Sequence, residues 1–417
     1  MIELFPFVSL SLLFIYISLS DIKRSKLDFL TVFDVFYTFA YILTPLHIIY
    51  LGENYVSSGH LGVYSSINVG SVTSILVVII FYLTLRTTYV KFSPNFNNTN
   101  IRMENHSGYI FLSTMFIFLS IIGIVGYTSV SGESPLAFLK IPIRFVWAAL
   151  MLLIPVAIIR KDKLSIILLI SASTISVISY GILQDRTRIV IAAIVFVCVI
   201  YSISSRAGRW ILAISSITVP AFLVSAGSRS GQGQFITDFN GITDAYSSVI
   251  REGSHAYMSL ETSLQHPESD TLIGIQDVII GPLHLLPQRL IGVDFPGTIT
   301  HWNTYLITGN YESVVLPGIV GYSWYSGIYI GIIAIPILYS LFGKLISEFL
   351  NSMEDNLANN VVYYTFAALW GFSFVRSGDI RVFFRGHVEW IFVIVVLIVL
   401  YGFNQRCALA GLLRQNE

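Results

Sequence analysis

Apolar residues in this chain run in long blocks separated by short polar stretches. A helix needs about 20 apolar residues to cross a hydrocarbon core, and blocks of that order recur from end to end. Eleven are predicted as spans: 2–20, 27–51, 67–85, 109–127, 143–159, 164–183, 189–204, 210–226, 314–342, 360–375 and 387–404. Pro45 and Pro155 fall inside two of them, which membrane helices tolerate because neighbouring groups satisfy the freed backbone. The stretch 272–293 is also apolar, but Asp277, Pro282, His284, Pro287 and Arg289 interrupt it. It is expected to lie at the interface or re-enter the membrane. No basic residue precedes the first apolar run and no small-residue cleavage site closes it, so it reads as a retained span. The predicted fold class is an all-α polytopic integral membrane protein. Its organisation is N-terminal transmembrane helices over 1–226, one large loop with amphipathic helices over 227–313, and C-terminal transmembrane helices over 314–417. Together these form one membrane domain.

Composition narrows the classes. The chain is 54% hydrophobic and 12% charged, against about 25% charged in soluble domains. A soluble enzyme, a disordered chain and a nucleic-acid binder are excluded. Of the two cysteines, Cys198 sits in an apolar run and Cys407 near the C-terminus, which gives no disulfide framework.

Net charge is zero, so the information lies in where the charges sit. Lys and Arg concentrate in cytoplasmic loops. Here Lys23, Arg24 and Lys26 follow span 1; Arg86, Lys91 and Arg102 follow span 3; Arg160, Lys161 and Lys163 follow span 5. Arg206 and Arg209, then Lys344, then Arg406 and Arg414 continue the alternation. That face is read as cytoplasmic, with the N-terminus outside, the C-terminus inside and the loop 227–313 outside; with span 1 not fully inserted, both ends would be cytoplasmic.

The outer segments break the rule in one residue type. Between residues 184 and 386 they carry Arg186, Arg188, Arg229, Arg251, Arg289, Arg376, Arg381 and Arg385, and no lysine; Lys140 is the one lysine of the chain off the inner face. A topogenic signal uses both bases; a phosphate site prefers the guanidinium fork, which holds two oxygens and does not deprotonate. Arg186 and Arg188 lie in the turn Gln184-Asp185-Arg186-Thr187-Arg188, Arg229 among small residues at the end of span 8, and Arg381 and Arg385 four apart, on one helical face. The alternative is that each arginine pairs with an acid of the outer loop, among them Asp277, and snorkels to headgroups.

Other chemistry is absent. No Asp-x-Asp pair lies on a cytoplasmic loop to hold a nucleotide sugar through a divalent metal. There is no Walker loop or dinucleotide fingerprint, and the histidines of the outer loop lack zinc-ligand spacing. No metal or cofactor is expected. Gly327-x-x-x-Gly331 reads as a close helix-packing motif.

Three stretches carry a resemblance. They are Gln184-Asp185-Arg186-Thr187-Arg188, then Leu285-Leu286-Pro287-Gln288-Arg289-Leu290-Ile291-Gly292, and Leu316-Pro317-Gly318-Ile319-Val320-Gly321-Tyr322-Ser323-Trp324-Tyr325-Ser326-Gly327. With one large external loop late in the chain, they resemble the Wzy-type O-antigen polymerases, the oligosaccharide repeat-unit polymerases. The resemblance implies a metal-independent, C-type membrane glycosyltransferase of the bacterial inner membrane, with its active site facing the periplasm. It implies undecaprenyl-pyrophosphate-linked glycans as donor and acceptor, a membrane-lipid environment and a chain-length regulator of the Wzz type as partner. Arg289 and Arg381 are the expected catalytic arginines, with Arg186, Arg188, Arg229, Arg376 and Arg385 binding pyrophosphate. His301, in Thr300-His301-Trp302-Asn303-Thr304-Tyr305-Leu306, is the first candidate for general base, because a His-Asn stretch marks a comparable loop of the related O-antigen ligases. Glu252 and Glu261 are the alternatives. An O-antigen ligase is the second enzymatic reading, and a flippase or transporter of lipid-linked oligosaccharide the non-enzymatic one. Spans nearly free of charge, Asp28 and Asp34 apart, favour the enzyme.

The topology has a direct check. Ser269→Cys should react with a membrane-impermeant maleimide in intact spheroplasts, and Asn98→Cys only after lysis. The reverse pattern would invert the assignment of faces.

Overall fold

The computed structural model describes residues 28–51, 72–94, 107–130, 135–183, 186–203, 254–266, 274, 277–278, 283, 298–309, 315–353 and 357–399. Every regular element among them is helical. Six helices are long and apolar enough to cross a membrane: Phe29–Leu46, Val72–Lys91, Ser107–Ser129, Leu139–Arg160, Lys163–Leu183 and Tyr329–Asn351. The predicted spans 2–20 and 210–226 lie outside the described residues. Phe111, Phe118, Val177 and Tyr329 point outward from the spanning helices, a surface that suits lipid rather than water. The chain is a polytopic helical membrane protein.

Helix α1 (Phe29–Thr38) starts at Asp28, whose Oδ1 accepts from the Thr31 N–H at 2.9 Å. It widens through a π-turn at Phe39–Leu43 into α2 (Thr44–Leu51). Pro45 brings no N–H to the carbonyls of the preceding turn, and the Thr44 hydroxyl donates to the Phe39 carbonyl at 2.8 Å. Then come α3 (Val72–Lys91), α4 (Ser107–Ser129), α5 (Phe145–Arg160), α6 (Lys163–Leu183) and α7 (Arg186–Ile203). Ahead of α5 a 3-10 segment, Pro135–Arg144, lies against α4. Ser120, Gly123 and Gly126 share that face at three-residue spacing. A Cβ on Gly123 would sit 2.1 Å from the Ile143 nitrogen, so only glycine allows the approach.

The loop 227–313, predicted to hold amphipathic helices, contributes a helix, α8 (254–265), that is buried on nearly every side. Tyr257, Met258, Leu260, Glu261 and Ser263 are all inaccessible, and Tyr257 contacts Ser74 of α3 at 2.9 Å. The predicted span 314–342 is in fact two helices, α10 (Gly318–Tyr325) and α11 (Tyr329–Asn351), after the short α9 (Ile299–Thr308). Gly327 takes φ +110° and Ile328 φ +47°, so the chain turns where hydropathy alone continues. Gly327-x-x-x-Gly331 is therefore not one helix face: Gly327 makes the turn, and Gly331 lets α11 pass under the Ser323 carbonyl. The chain ends its described course in α12 (Leu357–Ala368), a second π-turn at Leu369–Ser373, α13 (Phe374–Ser377), α14 (Ile380–Gly386) and α15 (Val388–Val399).

An aromatic cluster fills the middle. Trp370 packs on Tyr339 at 4.7 Å, on Phe374 at 4.8 Å and edge-on to Phe383 at 5.3 Å. At one end of the bundle Phe29 stacks on Tyr89, and the Lys344 ammonium lies 4.9 Å from the same Tyr89 ring. At the other end, the Tyr41 hydroxyl accepts from the Val320 N–H at 3.1 Å, and the backbones of Gly318 and Gly378 meet.

That last contact is testable. Gly378 has φ +63°, and a Cβ there would lie 2.1 Å from the Gly318 carbonyl oxygen. Gly378→Ala should destabilise by about 1–3 kcal/mol from backbone strain, with the clash adding to it. The midpoint of thermal unfolding in detergent should fall accordingly. Gly386→Ala, where a Cβ meets nothing within 4 Å, should leave it nearly unchanged.

Candidate functional site

Two buried guanidiniums bracket the short helix α14. The first depends on Asp379, the residue that caps it. Asp379 Oδ1 accepts from the N–H groups of Arg381 at 2.9 Å and Val382 at 3.2 Å. Its Oδ2 accepts from the hydroxyl of Thr300, and from the Thr300 N–H at 3.4 Å. Thr300 lies in the first turn of α9, itself capped by Thr298, whose hydroxyl oxygen accepts from the His301 N–H at 3.1 Å. One carboxylate thus joins the N-termini of α9 and α14, where the helix dipoles favour negative charge.

Arg381, 3% exposed, turns from the first turn of α14 onto Asp277. Its Nε donates to Asp277 Oδ1 at 2.6 Å, and its Nη2 reaches the same oxygen. Asp277 Oδ2 is buried and has no hydrogen-bond partner among the described residues. The Tyr322 hydroxyl donates to the Gly274 carbonyl at 2.9 Å, which holds this part of the loop against α10. Burial pushes the Asp277 carboxyl up to about 7, against the pull of Arg381 and aided by the nearby charge of Asp379.

The second guanidinium is Arg188, 4% exposed, in the first turn of α7. It pairs with Glu389 of α15 at 2.8 Å and donates to the carbonyls of Arg144 and Gly386, each at 3.1 Å. Gly386 is the last residue of α14, so Arg188 sits at its C-terminal end. His387, in the break between α14 and α15, bonds Ser373 through Nε2 at 2.9 Å. Arg188, His387, Glu389, Trp147 and Trp390 line a cavity of about 20 Å³, room for a single water molecule.

The sequence-predicted residues distribute as follows. Arg188 and Arg381, nearly two hundred positions apart, meet the same short helix; Arg381 is engaged by Asp277 of the outer loop, as the ion-pair alternative expects, whereas Arg188 is engaged by Glu389, which stands in the predicted span 387–404. Arg376 is half-buried in α13; Arg186 opens α7 and Arg385 lies in the last turn of α14. Arg229, Arg289 and Glu252 lie outside the described residues. Glu261 is buried in α8, where its Oε1 accepts from the Tyr257 hydroxyl at 2.7 Å. His301 is exposed, with Nδ1 3.1 Å from the Thr298 hydroxyl. It follows Thr300 directly, so the His301 and Arg381 helix ends belong to one junction. Tyr305, four residues on, is exposed on the same face, and its ring lies 6.4 Å from that of Trp302. Asn303 points the other way, donating to Ser259 Oγ at 3.0 Å and to the Val315 carbonyl at 2.9 Å. The His-Asn pair is therefore split between an open face and the core.

Sequence reasoning missed Asp379, His387 and Glu389 as parts of the site, and read Asp277 only as one available acid. Asp379 has a visible signal, an acid just before an apolar helical run. His387 and Glu389 have none, since they stand where hydropathy reads a span. No cluster of His, Cys, Asp or Glu suited to a metal occurs among the described residues.

Removing one partner of the buried Arg188–Glu389 pair leaves the other charge uncompensated. Glu389→Ala should lower stability by about 3–5 kcal/mol. The double replacement Arg188→Met with Glu389→Leu should recover most of it, read by thermal unfolding in detergent. Loss of function in the recovered double variant would show that the pair does more than hold the fold.

Comparison with protein-family models, with curated proteins and with solved structures gives no match.

Proposed function

We propose that the protein is a Wzy-type repeat-unit polymerase of the bacterial inner membrane. It transfers a growing glycan from undecaprenyl pyrophosphate to the next lipid-linked unit at the periplasmic face, in O-antigen and lipopolysaccharide biosynthesis. Its main support is that two guanidiniums from distant segments are buried at the two ends of α14, at one end of the bundle. Arg381 and Gly386 are separated by roughly 8 Å of helix rise, a spacing that suits the two ends of a diphosphate-bearing ligand.

In the reaction, an acceptor sugar hydroxyl attacks the anomeric carbon of the donor glycan. The new glycosidic bond forms as the bond to the pyrophosphate breaks. The hydroxyl proton goes to a base, and His301 on the open face of α9 is placed for it, with Trp302 and Tyr305 offering apolar faces to a sugar ring. The developing charge on the leaving pyrophosphate is met by preorganised arginines in a site with little water. A divalent metal is not required in this scheme, and neither is a cofactor. The full topology belongs to the same reading: eleven spans, the N-terminus and the loop 227–313 outside, the C-terminus inside. A chain-length regulator of the Wzz type is the expected partner.

Gel analysis of surface polysaccharide separates this function from its nearest alternative. Deletion should leave lipid A core carrying one repeat unit; core carrying none would identify a ligase, and unaltered polymer would remove both. Within the polymerase, Arg381→Lys keeps the charge but loses the fork, and the rate should fall about 100- to 1000-fold at normal protein level. Full polymer from that variant would reduce Arg381 to a structural cation.

A further inference from the structure

Among the described residues, the junction of α9, α10 and α14 brings two buried acids, Asp277 and Asp379, to one buried arginine, Arg381. Both acids are fully buried; the Arg381 guanidinium pairs with Asp277, and its backbone N–H donates to Asp379. Asp379 is committed on both oxygens: to the N–H groups of Arg381 and Val382, and to Thr300 through its N–H and hydroxyl. Asp277 is held through one oxygen by Arg381, while its other oxygen is buried without a donor among the described residues. Among the described residues, the charged and titratable groups near it are Asp379 and Arg381 of α14 and Tyr322 of α10; from α9, Thr300 meets Asp379, with exposed His301 next along. Helix ends therefore fix Asp379, whereas Asp277 is fixed by a side chain that can turn.

We infer that Asp277 is an exchangeable counter-ion, whose place on the Arg381 fork is taken by a diphosphate-bearing ligand while Asp277 leaves as the neutral acid. The inference rests on the reading of Arg381 as a diphosphate ligand. A carboxylate released beside Asp379 and an incoming diphosphate would be one more negative charge in a low-dielectric space, and a proton from solvent removes it. That proton joins the Asp277 carboxylate; no other bond forms or breaks. Burial already raises the carboxyl to about 7 with Arg381 opposing the rise, so losing Arg381 raises it further. The sign follows. Above neutrality Asp277 is ionised and competes for the fork; below it, the neutral acid yields. Diphosphate binding should strengthen as pH falls and should take up a proton.

The test uses the full-length protein in lipid nanodiscs, titrated calorimetrically with inorganic pyrophosphate on both sides of neutrality, in buffers of different ionisation heat. The titration of pyrophosphate itself is common to all variants, so the decisive quantity is the difference from Asp277→Asn. Wild type should take up about one more proton than Asp277→Asn, and above neutrality its affinity should weaken by about tenfold more per pH unit. Asp277→Glu should behave as wild type. Equal proton uptake and equal pH dependence in wild type and Asp277→Asn would overturn the exchange, as would absence of pyrophosphate binding. If the Asn variant cannot be recovered, infrared difference spectroscopy on wild type decides. A new carbonyl band of a protonated carboxylic acid on adding pyrophosphate supports the exchange, and its absence overturns it. The polysaccharide gel judges the polymerase reading separately, so an exchange that fails while deletion still leaves core plus one unit loses only Asp277.

Discussion

One end of this bundle depends on the Asp379 carboxylate. It satisfies backbone donors at the start of α14, accepts from Thr300 at the start of α9, and leaves Arg381 aimed at Asp277. Hydrogen bonds to an ionised acceptor are roughly twice as strong as neutral ones, and here one group supplies several at once. Beneath it Gly378 packs directly on Gly318, and Tyr41 reaches Val320 in the first turn of α10. The short helices α9, α10, α13 and α14 are too brief to be stable alone; this junction and the aromatic cluster around Trp370 hold them.

Burying charge is costly, and among the described residues three ion pairs include a buried carboxylate. Arg86 with Asp34, Arg188 with Glu389 and Arg381 with Asp277 each join segments far apart in sequence. The pairs differ in what else surrounds the guanidinium. Arg188 is matched by a carboxylate and two backbone carbonyls, an arrangement that fixes α7 against α14 and α15. At Arg381 the guanidinium meets Asp277, and a second buried acid, Asp379, lies on its backbone N–H.

Much of the fold was legible in the sequence. The blocks at 27–51, 67–85, 109–127, 143–159 and 164–183 appear as helices with shifted ends, because about 20 apolar residues in lipid have little choice but to be helical. The failures have a common cause. Hydropathy averages over side chains and is blind to a backbone turn, so 314–342 reads as one span although Gly327 and Ile328 turn it. It is equally blind to polar residues that are buried against protein, so α8 reads as part of an outer loop although Tyr257 and Glu261 lie inside the core.

The sequence by itself determined that the chain is helical and polytopic in a membrane, since composition and block length leave no other way to satisfy the backbone. It also singled out arginines without lysines, because residue type is written in the sequence whatever the fold. Only the tertiary structure decided which arginines meet. Arg188 and Arg381 come to opposite ends of α14, and Asp277, Glu389 and Asp379 become their neighbours, through contacts between segments separated by up to two hundred residues. A linear pattern carries no record of such pairings: each rests on the angle at which one helix crosses another, and that angle is set by packing at glycines and aromatic rings elsewhere in the bundle.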